Sequence, residues 1–96
     1  MKYTKTISID SLVRRAEYID AADLNGEKVM MNLDKGRYFA LNEVGSRIWD
    51  MMDRPLTVRD IVDAMTREYE IDEQSCAKEV LAFLGKMYDE ELISVG

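Results

Sequence analysis

Histidine is absent from this sequence, and cysteine and proline each occur once in its 96 residues. Without histidine, the chain lacks the side chain that most often acts as a general base and most often binds a metal ion. The lone Cys76 cannot form an internal disulfide or a thiolate zinc site, and no imidazole is present to activate it as a nucleophile. We therefore interpret Cys76 as a packing residue and expect no enzyme, no metal site and no cofactor.

Long hydrophobic runs are also missing. No stretch approaches the roughly 20 apolar residues of a membrane-spanning helix, and residues 1–12 lack the apolar run of a secretory signal peptide. One cysteine and seven methionines are typical of a protein from a reducing compartment. We expect a cytoplasmic protein without membrane contact, and its 96 residues suffice for one small domain over 1–96.

Positive charge is scarce in the second part of the chain. The net charge is −6, and residues 57–96 account for all of it, with four basic and ten acidic side chains. Proteins that bind nucleic acid place cationic side chains against phosphate groups. This distribution therefore argues against a nucleic-acid partner.

The first part of the chain predicts a three-stranded antiparallel meander. Asn25-Gly26 is a strong hairpin signal, and Gly36 can supply the positive φ of a second tight turn. Three consecutive apolar residues beginning at Val29 suggest that the middle strand is central and buried on both faces. Residues 1–12 are expected to form a further short strand or an ordered arm. The predicted strands of the meander are 17–24, 27–34 and 37–42.

Three amphipathic helices follow, each with a recognisable N-cap. Asn42, Thr57 and Asp72 are the predicted caps, and Asp60 completes a capping box with Thr57. Residues 92–95 are expected to be a short extended tail. The predicted helices are 43–52, 58–69 and 73–90.

The third helix has an apolar face about 160° wide, whereas a helix facing one core usually shows little more than about 100°. The excess width has two interpretations: it covers a second layer of the protein, or it lines a groove. The face consists of Phe83, Cys76, Met87, Val80, Leu84, Ala77, Tyr88 and Leu81.

The order of three segments resembles the PqqD-like superfamily of peptide-recognition proteins. The segments are "GEKVMMNLDKGRYFALNEVGSRIW", "TVRDIVDAM" and "EVLAFLGKMYDEELI", and the resemblance covers residues 13–95. The "VMMN" strand and the "ISIDSL" opening are most similar to the stand-alone members of lasso-peptide biosynthesis. One departure is Glu91, which stands where many members have glycine before Leu-Ile.

This resemblance implies an α+β, winged-helix-like fold, in which a three-stranded antiparallel sheet precedes three helices. It implies that the chain is no enzyme but binds the leader segment of a ribosomally made precursor peptide. The leader would add as a strand to the edge of the third strand and rest against the third helix. The implied partners are the precursor peptide, a leader peptidase and a macrocyclase. The implied peptide-binding residues are Gly36, Arg37, Tyr38, Phe39, Ala40, Leu41, Cys76, Glu79, Val80, Phe83, Leu84 and Met87.

Several alternatives stay open at this point. A winged-helix DNA-binding regulator has a similar order of elements, but residues 73–91, its recognition helix, carry a net charge of −3. A peptide chaperone for a radical-SAM enzyme is a further candidate. The sequence does not decide whether Tyr38 or Phe39 faces the groove, nor whether Lys35 and Arg37 bind leader carboxylates or are simply solvated.

Overall fold

The computed structural model describes residues 7–25 and 27–96, and it has the expected order of a meander followed by helices. It confirms the winged-helix-like α+β fold with three helices, and it adds a second small sheet. In chain order the elements are β1 (Leu12–Arg15), β2 (Ile19–Leu24), β3 (Glu27–Asn32), β4 (Arg37–Leu41), α1 (Glu43–Met51), β5 (Leu56–Thr57), α2 (Val58–Glu68), α3 (Glu73–Asp89) and β6 (Ile93–Val95).

The meander forms a sheet in the order β2-β3-β4, so β3 is central and β4 lies at an edge, as predicted. Both connections use positive φ angles, +55° at Asn25 and +62° at Gly36. The second half of the Asn25-Gly26 signal, Gly26, lies outside the described residues. In β3, however, Met30 is buried, whereas Val29 and Met31 are only half-buried. The expected burial on both faces is therefore wrong, because the helices cover only one face of this sheet.

The second sheet has the order β5-β1-β6 and was not predicted. The strand or arm expected within residues 1–12 is a strand only from Leu12 onward; residues 7–11 are not in a strand, and residues 1–6 lie outside the described residues. The tail expected at 92–95 instead pairs with β1, where Val13 lies opposite Val95. These strands have two to four residues each, too few to show a period of two, and their partners are distant in sequence.

All three helices begin at the predicted caps. The Asn42 side chain accepts a hydrogen bond from the Gly45 N–H at 2.8 Å, and the Asp72 side chain accepts one from Ser75 at 2.9 Å. Thr57 and Asp60 form the reciprocal capping box. Each cap satisfies an N–H group that the first turn of a helix leaves without a partner.

Helix α1 is tied to the sheet by polar contacts as well as by its apolar face. The Ser46 hydroxyl accepts a hydrogen bond from the Lys28 N–H at 2.9 Å and donates one to the Leu41 carbonyl at 3.2 Å. The Lys28 ammonium lies 2.8 Å from Asp23 and 3.1 Å from Asp50, and hydrogen bonds to these two carboxylates raise the pKa of Lys28. These contacts tie α1 to the start of β3 and to the end of β4.

Candidate functional site

A groove of about 570 Å³ runs between β4 and α3. One wall is the edge strand and the other is the second half of the helix. The floor and walls are formed by Arg37, Tyr38, Phe39, Ala40, Leu41, Asn42, Phe83, Lys86, Met87, Glu90 and Leu92. Its volume is within the range of about 300–1,000 Å³ that is typical of ligand sites.

Alternation along β4 decides which aromatic side chain faces the helices. Leu41 is buried and Phe39 half-buried, so this face of the strand points toward the helices, and the register pairs Phe39 with the buried Met30. Tyr38 is 70 % exposed and belongs to the opposite face. Phe39 is therefore the ring that faces the helices.

The backbone of β4 has hydrogen-bonding groups directed away from the sheet. The Ser46 hydroxyl bridges the Lys28 N–H and the Leu41 carbonyl, so at this pair the backbone groups of β3 and β4 point toward each other. Alternate residues of an antiparallel strand turn these groups to opposite sides. The N–H and carbonyl groups of Tyr38 and Ala40 therefore point to the open edge, where no strand of residues 7–25 or 27–96 pairs with β4.

Phe83 and Met87 form the apolar part of the helix wall. Met87 is 3 % exposed, whereas Phe83 is half-buried and lines both this groove and a neighbouring cavity. The Phe83 ring packs against α1, where its edge lies 3.2 Å from the position that a Cβ on Gly45 would occupy. A glycine at this position of α1 therefore allows the ring to approach the helix closely.

The neighbouring cavity has a volume of about 310 Å³ and opens between α1 and the first half of α3. It meets the groove at Asn42 and Phe83, which line both spaces. Its surface is mainly apolar, with Glu79 as its one ionisable carboxylate. The other lining residues are Val44, Gly45, Ile48, Met65, Tyr69, Ile71, Cys76 and Val80.

Cys76 is 3 % exposed in the wall of this cavity, and its thiol donates to the Val62 carbonyl at 3.9 Å. Burial, together with the nearby carboxylates of Glu79 and Asp72, raises the pKa of the thiol. A raised pKa disfavours the thiolate, which is the nucleophilic form. Among the described residues, no three side chains of His, Cys, Asp or Glu come close enough to hold a metal ion.

The far end of the groove carries ion pairs within the chain. The Arg37 guanidinium lies 2.9 Å from Glu90 and 5.3 Å above the Phe39 ring, and Lys35 pairs with Glu91. Both cations therefore have carboxylate partners on the segment that ends α3. Glu91 has a φ of +61°, the left-handed conformation at which glycine is most common after a helix.

Comparison with known proteins shows which family has this architecture. The family model of coenzyme PQQ synthesis protein D (PqqD) matches residues 27–93. The chain belongs to the PqqD family. Among solved structures, TbiB1 in complex with the TbiA(beta) leader peptide is 31% identical, with a TM-score of 0.80 over 84% of this chain and 94% of TbiB1. No curated protein matches the chain.

A second solved structure supports the fold of this PqqD-family chain. Lasso peptide synthetase B1 complexed with the leader peptide has a TM-score of 0.71 and 17% identity, over 85% of this chain and 96% of that one. Within the described residues of the PqqD-family chain, no helix has both the length and the apolar character needed to cross a membrane.

The groove of this PqqD-family chain gathers most of the predicted site residues. Residues 37–41, Phe83 and Met87 line the groove, and Cys76, Glu79 and Val80 line the neighbouring cavity. Gly36 lines neither space because it forms the turn before β4. The prediction that Leu84 binds the peptide is wrong. Its side chain is 0 % exposed and packs in the core, although Leu84 directly follows Phe83 in the helix.

Four groove residues of the PqqD-family chain were missing from the prediction. Asn42 was recognised only as a helix cap, and Lys86 and Glu90 only as charged residues of α3. The sequence does contain a signal for Lys86 and Glu90. They lie three and seven positions after Phe83, and this spacing places them on the same side of the helix. Leu92 follows the helix, and its position depends on the chain reversal at Glu91. The groove residues in question are Asn42, Lys86, Glu90 and Leu92.

Proposed function

We propose that this chain binds the leader segment of a ribosomally made precursor peptide and presents it to separate processing enzymes. The observation that carries the proposal is the open edge of β4 beside an apolar groove. An exposed strand edge is a liability that proteins usually cover or blunt with charge. On β4 the charged side chain is Arg37, which is paired with Glu90, so the middle of the edge is unprotected.

The peptide would add as a fourth strand to the sheet, roughly 4.8 Å from β4. Tyr38 and Ala40 would supply the backbone N–H and carbonyl groups that hold it. Alternate side chains of such a strand point to one face, so one set would enter the groove against Phe83 and Met87. Backbone pairing would supply affinity with little dependence on sequence, and the groove would supply selectivity.

The neighbouring cavity continues the groove beyond the end of β4, in the direction of the added strand. A peptide that continues past Leu41 would cross Asn42 and Phe83 and reach the apolar space beside Val80. We infer that this cavity accepts one apolar side chain of the leader. Glu79, which is exposed at the cavity, favours a cationic residue next to that side chain.

The proposed role is non-catalytic. The described residues present no metal-ligand cluster, and the only thiol is buried with a raised pKa. The chemistry would therefore be done by other proteins, a leader peptidase and a macrocyclase of the lasso type. We prefer this pathway to a radical-SAM partner because the two similar solved structures are TbiB1 with a leader peptide and lasso peptide synthetase B1 with the leader peptide.

A titration of fluorescently labelled leader peptide, taken from a lasso-type precursor of the same organism, tests the proposal. We expect saturable binding in the peptide titration and none in a parallel titration with labelled duplex DNA at low salt. A scrambled peptide of the same composition is the matched control and should bind at least tenfold more weakly. Tight DNA binding without any response to the leader would contradict the proposal and favour the DNA-binding alternative.

A further inference from the structure

The outer face of the β2-β3-β4 sheet, opposite the helices, is covered by no other described element. The register of the strands places three rows of side chains on this face. One row contains Asp20, Met31 and Tyr38; the next contains Ala22, Val29 and Ala40; the last contains Leu24 and Glu27.

This face is unusually apolar for a surface. Tyr38 is 70 % exposed and Leu24 is 57 % exposed, while Val29 and Met31 in the middle are half-buried. The face therefore has an apolar centre that runs from Leu24 to Tyr38. Contiguous exposed apolar patches on small proteins usually mark sites of interaction.

The charges on the face are of one sign. Asp20 and Glu27 stand at its margin, and the eight side chains of the three rows include no lysine or arginine. Lys28 belongs to the opposite face and already pairs with Asp23 and Asp50. A complementary surface would have an apolar centre with Lys or Arg at its rim.

The sign of these charges disfavours several occupants. Nucleic acid and anionic lipid surfaces carry phosphate groups, which Asp20 and Glu27 would repel. A second copy of the chain, docked face to face about a two-fold axis, would place four acidic residues and no basic one from these rows in the interface. The occupant that these charges favour is a different protein with basic residues around an apolar patch.

The face also adjoins the peptide edge. Tyr38 and Ala40 present their side chains on this face and their backbone groups to the open edge of β4. A protein seated on the face would lie beside any strand added to that edge and would contact the added strand's outward side chains. We propose that this outer face docks a basic-rimmed leader peptidase, placing it over the bound leader.

This proposal rests on the proposed function, and the experiment separates the two. The probe is a purified lasso-type leader peptidase from the same organism, titrated by interferometry against the immobilised chain with and without saturating leader peptide. Two variants alter the face, Asp20→Lys/Glu27→Lys and Leu24→Ser; none of these residues lines the groove. The matched control is Asp53→Lys/Asp63→Lys, which changes the net charge equally at exposed positions outside the sheet.

We expect each face variant to bind the peptidase at least tenfold more weakly, and leader cleavage to slow in parallel. The control should bind the peptidase like wild type, and all variants should bind the labelled leader within twofold of wild type. Equal peptidase binding by wild type and the face variants would overturn the proposal, as would an equal loss in the control. So would a wild-type dimer, seen by sedimentation, that the face variants abolish.

Loss of leader affinity in the face variants would likewise contradict a docking role for the face. Failure of the wild-type chain to bind the leader would instead contradict the proposed function. In that case the peptidase titration without peptide still reports on the face.

Discussion

The Phe83 ring and Gly45 are in close contact: two ring carbons lie 3.2 Å from where a Cβ on Gly45 would stand. This contact joins α3 to the start of α1 at the point where the groove and the neighbouring cavity meet. The size of the side chain at position 45 therefore controls the position of the ring that both spaces share.

Gly45→Ala should separate stability from binding. Alanine favours a helix over glycine by about 1 kcal/mol, but its methyl group would push the Phe83 ring into the shared junction. We expect unfolding to occur at the same or a higher temperature, while affinity for the leader falls roughly fivefold. Calorimetry and peptide titration measure the two effects.

Gly85→Ala is the matched control for that substitution. Gly85 is also helical, in α3, but an added Cβ would meet nothing within 4 Å. This variant should be more stable by about 1 kcal/mol and should bind the leader like wild type. An identical effect of the two substitutions on affinity would contradict a specific role for the Gly45–Phe83 contact.

Phe83→Ala and Leu84→Ala test which of two neighbouring residues binds the peptide. Phe83 lines the groove and is half-buried, so its truncation should cost about 2 kcal/mol of binding, near a thirtyfold loss, with a small change in stability. Leu84 is fully buried, so its truncation should cost about 2–5 kcal/mol of folding stability. Peptide titration below the unfolding transition and thermal melting distinguish them; the reverse pattern would place Phe83 in the core.

Glu91→Gly should stabilise the chain. Helix α3 ends in a Schellman motif, with hydrogen bonds from Leu92 N–H to the Met87 carbonyl at 2.9 Å and from Glu91 N–H to the Tyr88 carbonyl at 3.0 Å. The left-handed conformation of Glu91 costs a side-chain-bearing residue about 1 kcal/mol, and glycine avoids this cost. We expect a gain of about 1 kcal/mol, or roughly 4–8 °C in melting temperature.

Glu91→Ala controls for loss of the exposed Lys35 pair, which is worth little by itself. Alanine removes the carboxylate but keeps the strained backbone, so it should bring no comparable gain. Equal melting temperatures for the alanine and glycine variants would show that the backbone conformation is not the cause.

Asp72 links the stability of α3 to pH. Hydrogen bonds from Ser75 lower the pKa of Asp72 below its ordinary value of 3.8. Because the folded pKa is the lower one, the capping contribution is present above the unfolded pKa and is lost as pH falls through the folded pKa. The stability advantage of wild type over Asp72→Asn should therefore shrink between neutral pH and strongly acidic pH, as urea unfolding at several pH values can measure. A constant difference would contradict the prediction.

The sequence predicted the elements whose signals are local. Asn42, Thr57 and Asp72 mark helix starts by side-chain chemistry within three residues, and Gly36 marks a turn by its backbone freedom. The second sheet was missed because its pairing of Val13 with Val95 joins short segments from the two ends of the described chain. No local pattern encodes such a contact.

The candidate site was predicted only in part, because contacts between distant segments decide which side chains face the groove. Periodicity placed Phe83, Leu84 and Met87 on one wide face of α3, but the rotation of the helix in the fold decides which of them faces the groove. That rotation puts Leu84 in the core and leaves Phe83 at the groove wall. Likewise, only the register with β3 decides between Tyr38 and Phe39.

The most direct test of the central claim is the leader affinity of Ala40→Pro compared with that of Ala21→Pro. By the alternation of the strands, Ala40 N–H points to the open edge of β4 and Ala21 N–H to the open edge of β2, so neither proline removes a hydrogen bond between strands. If the leader adds to β4, Ala40→Pro should lose at least tenfold in affinity, about 1.4 kcal/mol, while Ala21→Pro binds like wild type and both stay folded. Wild-type affinity in a folded Ala40→Pro variant would contradict docking at this edge.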